Sequence, residues 1–137
     1  MRDRLIFSVA AAMALFALWP AAYAHHGIAS WFEMSRSARV KGTVTGFDWI
    51  NPHCYIYVDA KDEKGAMQKW KAEMSSVSTL VKAGWRKDTV KAGDEITLVG
   101  KLAKDGRPRM ILDKVVLANG QELATNDVPT PTIPSGQ

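Results

Sequence analysis

Cys54 is the only cysteine in 137 residues. No internal disulfide can form, so packing alone must hold the core together. Catalytic signatures are missing as well. There is no G-x-S-x-G, no H-E-x-x-H and no phosphate-binding glycine loop, which removes the common hydrolase, metalloprotease and nucleotide readings. Glu73 and Asp113 could be paired carboxylates, but no spacing brings them together and they read as surface charges. The expectation is a binding protein and not an enzyme. Long runs of like charge are also absent. The 18 Lys and Arg are interspersed with 14 Asp and Glu, for a formal net charge of +4. Such mixing describes a solvated surface, not a nucleic-acid footprint.

The beginning of the chain has the three parts of a secretory signal. Arg2 and Arg4 outweigh Asp3, residues 5–19 are apolar and uncharged, and Ala22-Tyr23-Ala24 follows Pro20 as a small-x-small cleavage site. The apolar run falls short of the roughly 20 residues that span a bilayer. Cleavage after Ala24 predicts a periplasmic or secreted protein, with no transmembrane segment, that begins at His25. Removing Arg2, Asp3 and Arg4 takes the net charge to about +3.

Behind that point, residues 25–39 show no clean period, but Trp31, Phe32 and Met34 predict packing against the domain. Residues 40–49 read as a strand, bent or bulged at Gly42 and Gly46. After the Asn51-Pro52 turn, residues 53–60 alternate most clearly: Cys54, Ile56, Val58 and Ala60 on one face, His53, Tyr55, Tyr57 and Asp59 on the other. The returning strand spans residues 68–74. Ser75-Ser76 then offers a helix N-cap, Val77, Leu80 and Val81 recur at helical spacing, and Gly84 suits the C′ position. Two more strands follow at residues 95–102 and 110–117, with a short one at 121–124. Three strands, a helix, then two strands is the order of an all-β, five-stranded OB-like Greek-key barrel with its helix between strands 3 and 4. The predicted organisation is a signal peptide at 1–24, an N-terminal segment at 25–39, the barrel at 40–125 and a disordered Pro/Thr-rich tail at 126–137. The predicted core is Val44, Ile56, Val58, Trp70, Leu80, Ile96, Leu98 and Leu112.

Chemistry concentrates in three histidines. An N-terminal His25 offers its free α-amine and its ring Nδ1 to one metal ion, closing a small chelate. The amine's ordinary pKa, near 8, lets a metal displace its proton at neutral pH. All-nitrogen coordination suits Cu(II) best among first-row divalent ions. His53 would supply the third nitrogen of a histidine-brace-like site. Alternatively, the amine, the intervening amide and the His26 ring chelate without it. The candidate metal residues are therefore His25, His26 and His53, with copper as the ion. Met34 and Met74 are soft ligands suited to Cu(I), although Met74 fits core packing better. Cys54 shares a face with Ile56 and Val58 and reads as a small buried hydrophobe. A second function class needs no metal: an accessory module for another envelope protein, using the aromatics around Trp49, Tyr55 and Tyr57.

The His25-His26 start, Gly42-Thr43-Val44, Trp49-Ile50-Asn51-Pro52-His53, Glu73-Met74-Ser75, Gly84-Trp85 and Gly93-Asp94 together resemble an uncharacterised family. Its members are small secreted bacterial proteins, classed as a domain of unknown function and found mainly in Gram-negative bacteria. The resemblance implies an exported OB-like domain and transfers no catalytic role. Members tend to continue His-His with Ser-Phe, where this chain has Gly27-Ile28, and Cys54 is a further departure.

Overall fold

The computed structural model describes residues 26–126. The predicted leader, His25 and residues 127–137 lie outside the described residues. The chain divides into two compact units, Met1–Ser30 and Trp31–Gln137. Helix α1 (His26–Trp31) runs through the boundary. It is six residues long, too short for its period to stand out in the sequence.

In the second unit the strands are β1 (Ala38–Asp48), β2 (Tyr55–Lys61), β3 (Met67–Glu73), β4 (Glu95–Leu102), β5 (Arg109–Val116) and β6 (Glu122–Ala124). Helix α2 (Val77–Lys82) falls between β3 and β4. The sheet order is β3-β2-β1-β4-β5-β6, and a parallel β3–β5 pairing closes the first five strands into a barrel. The fold is thus all-β and OB-like, with β6 as an extra strand.

Strand β1 serves both β2 and β4, so it must bend. A register shift between Val44 and Gly46 supplies the bulge. Gly42 answers a different need: a Cβ there would strike the Asp59 carbonyl and the Val58 side chain. Gly100 on β4 is pinched in the same way by the backbone of Ile111.

Seven of the eight expected core residues are buried. Trp70 is only partly so and packs against the cluster from its edge. Cys54 and Met74 are buried too. Two expectations need correction. Val81 is exposed, because a helix this short turns one stripe inward, and Leu80 occupies it. Of the N-terminal aromatic and Met residues, Phe32 is buried and bridges Ala103, while Trp31 and Met34 face solvent.

Helix α2 is delimited at both ends as its sequence suggests. The Ser76 hydroxyl accepts from the Thr79 N–H at 3.4 Å. At the other end Gly84 takes a positive φ of 91°. Its N–H donates to the Val81 carbonyl and the Trp85 N–H to the Leu80 carbonyl, at 3.1 and 2.9 Å. That is a Schellman closure, and it places Trp85, almost fully buried, beside Leu80 in the core.

Strand β6 lines the second half of β5, where β3 no longer pairs with it. The Trp85 indole N–H donates to the Ala124 carbonyl at 2.7 Å, and the Thr125 N–H to the Asp113 carbonyl at 3.0 Å. Thr125 is fully buried, its hydroxyl bonded to the Leu112 carbonyl. Asn126, expected to open the loose tail, accepts from the Ser75 hydroxyl at 3.0 Å. Among the described residues no helix is long and apolar enough to cross a membrane.

Candidate functional site

The turn from β1 to β2 carries the site. Trp49 leans back on Phe47, with ring centroids 5.6 Å apart, and Phe47 in turn meets Trp85 at 6.2 Å. The Asn51 side-chain oxygen accepts from the Val77 N–H at 3.1 Å, capping the first turn of α2. The Asn51-Pro52 peptide bond is cis. His53 follows, and backbone bonds lock Cys54 behind it: its N–H donates to the Ser75 carbonyl, and its carbonyl accepts from the Met74 N–H. The Cys54 thiol bonds to the Ile50 carbonyl at 3.4 Å, and burial pushes its pKa up. The thiol is thus a packed group, as expected, and not a poised nucleophile.

His53 is thereby turned outward, with about half of its side chain exposed. Its Nδ1 donates to the Glu73 carboxylate. A carboxylate only accepts, so in the neutral ring this contact holds the proton on Nδ1 and leaves the lone pair on Nε2. Nε2 has no partner among the described residues.

Glu73 is the partner of His53 that sequence reasoning left unpaired with it. The signal was available, since the β2–β3 hairpin fixes Tyr55 opposite Glu73 and alternation then puts His53 and Glu73 on one face as diagonal neighbours. Asp113, its imagined carboxylate partner, binds Ser37 at 2.7 Å and Lys101 at 3.5 Å instead.

The three candidate histidines are not gathered within the described residues. His26 opens α1. Among the described residues no group of three or more His, Cys, Asp or Glu side chains is arranged to hold a metal ion. The aromatics also part company: Trp49 packs against the core cluster, whereas Tyr55 and Tyr57 face outward. A groove of about 510 Å³, lined by Glu33, Arg36, Ser37, Ala38 and Leu102–Lys104, lies beside the start of β1 and holds no histidine.

A family model described as a family of unknown function (DUF6152) matches residues 13–111. The chain belongs to this family. No curated protein matches the chain. The motifs that carried the earlier resemblance serve mainly architecture here. Asn51 caps α2, Gly84-Trp85 closes it, and Gly93-Asp94 pairs by backbone with Val44. His53 and Glu73 are the motif residues whose side chains meet at the surface.

Proposed function

We propose that this is an exported, non-enzymatic protein that binds one Cu(II) through nitrogen, with the α-amine and ring of His25 as the chelate and His53 as the third ligand. The observation that supports the reading is the His53–Glu73 pair. Metal-binding histidines usually donate their second ring N–H to a carboxylate or carbonyl, which fixes the tautomer and raises the basicity of the free nitrogen. His53 is held in that way, with about half of its side chain exposed. Loss of a supporting carboxylate of this kind costs about 10–100-fold in metal affinity.

Copper titration of the protein beginning at His25 tests the proposal. Adding one residue before His25 removes the free amine from the chelate and abolishes tight binding. His53→Ala weakens binding and alters the copper spectrum, and Glu73→Gln weakens it about 10–100-fold. A dependence on His26 with His53 silent would replace this assignment with the amine, amide and second-ring chelate. Equal, weak binding by every variant would overturn the copper reading and leave the metal-free accessory module.

A further inference from the structure

Where the segment before β1 meets the β4–β5 turn, apolar side chains stand in water. Residues 31–33 run antiparallel to the end of β4. The Lys104 N–H donates to the Trp31 carbonyl and the Glu33 N–H to the Leu102 carbonyl, both at 2.9 Å, and Phe32 bridges Ala103. Alternation sends Phe32 into the fold and Trp31 out of it. Trp31 is 63% exposed and Met34 46%. Tryptophan is highly buried on average. Here its backbone is pinned while its side chain stays wet, so burial against a partner would gain apolar contact at little cost in chain order.

Positive charge gathers at the same place. Residues 31–39 and 103–109, which those backbone bonds join, carry Arg36, Arg39, Lys104, Arg107 and Arg109 against Glu33 and Asp105. The rest of the described residues carries eleven Lys and Arg against ten Asp and Glu. Three of the four excess positive charges therefore lie in this one corner. Its two carboxylates are held locally: Glu33 accepts from the Ser35 hydroxyl and N–H at 2.7 and 3.1 Å, and Asp105 binds Arg107 at 2.7 Å. The groove of about 510 Å³ takes its lining from both segments.

We infer that this corner docks on the surface of an anionic phospholipid bilayer, with Trp31 and Met34 among the headgroups and the cations against lipid phosphates. Tryptophan favours the membrane–water boundary, and one apolar anchor joined to a basic cluster gives reversible attachment. A protein partner fits less well. A stable protein interface buries roughly 800 Å² on each side, and two exposed apolar side chains supply only a small part of that.

The inference is independent of copper, and EDTA in every sample keeps the two apart. The protein beginning at His25, free of the apolar leader, is sedimented with vesicles of phosphatidylglycerol and phosphatidylcholine. Binding is expected, weakened by salt and weaker still on phosphatidylcholine alone. Trp31→Ala should lose about tenfold, the scale of one large apolar side chain. Arg36→Ala and Lys104→Ala should each lose about fivefold, the scale of one cation at an anionic surface. His53→Ala should bind as the parent does. The unfolding midpoint of Trp31→Ala should stay near the parent's, because this side chain lies outside the core. No binding to the anionic vesicles, equal binding by Trp31→Ala, or equal binding to phosphatidylcholine would overturn the inference. Tighter binding of a poly-glutamate peptide than of the vesicles would overturn it in favour of an acidic protein partner.

Discussion

On the inner side of β2, Ile56 and Val58 have no exposed surface, and on the outer side Tyr55 and Tyr57 are half-buried among charged groups. The two sets alternate along one seven-residue strand, yet they respond to different physics. Inner residues are fixed by volume, since they meet side chains from β1, β4, β5 and α2 in a single cluster. Outer residues are fixed by partners: Tyr57 by Asp48, Tyr55 by Lys71, His53 by Glu73. The difference explains why the strand tolerates so much polar chemistry. The inner face supplies stability, which leaves the outer face free to carry groups that contribute little to it.

The contrast is broken most directly from within. Ile56→Ala leaves a cavity in the barrel and should cost about 2–5 kcal/mol, read from the shift of the urea midpoint at unchanged slope. A cost below 1 kcal/mol would mean that the barrel collapses around the gap and that the two faces differ less than their burial suggests.

On the outer face, Tyr57→Phe removes only the hydroxyl bonded to Asp48. The expected loss is about 0.5–1.5 kcal/mol, measured in the same way. The two tyrosines also give this face a pH signature. Burial raises the pKa of both, helped by the nearby Glu73 charge at Tyr55 and by the bond to Asp48 at Tyr57. A raised tyrosine pKa favours the protonated fold. Its stabilisation is complete below the ordinary value of about 10 and is lost as pH rises through the folded value. Alkaline denaturation should therefore flatten when Tyr55 and Tyr57 are both replaced by Phe.

The smallest effect belongs to Lys69→Ala. Its ion pair with Asp59 is 3.7 Å long and well exposed, so the cost should lie within about 0.2–1 kcal/mol and shrink further in salt. A larger loss would make the outer face a contributor to stability in its own right.

These faces were legible in the sequence because strand alternation is a local property. β4 was readable to the residue, since Ile96, Leu98, Gly100 and Leu102 alternate directly after the Gly93-Asp94 turn. The barrel followed from element order alone. What escaped was set by contacts distant in the chain. Trp85 has no periodic neighbour to mark it as core, and its indole needs the carbonyl of Ala124. Glu73 is informative only once the hairpin register places it beside His53. Helix α1, six residues with Gly27 near its start, offers too few turns for a pattern. At the candidate site the position of His53 in the β1–β2 turn was legible, and the tautomer imposed on it was not.

The short strand β6 has a practical consequence for anyone cutting the chain. The family match ends at residue 111, two residues before Asp113, whose carbonyl receives the Thr125 N–H. A fragment trimmed to that limit would lose the far half of β5 together with β6. The indole of Trp85 would then lie buried without its acceptor, and β4 would present a row of bare N–H and C=O groups along the stretch from Thr97 to Gly100 that β5 now covers. Exposed strand edges recruit other strands. Such a fragment is therefore expected to aggregate, and a stable one must keep β6 and the Thr125 contacts.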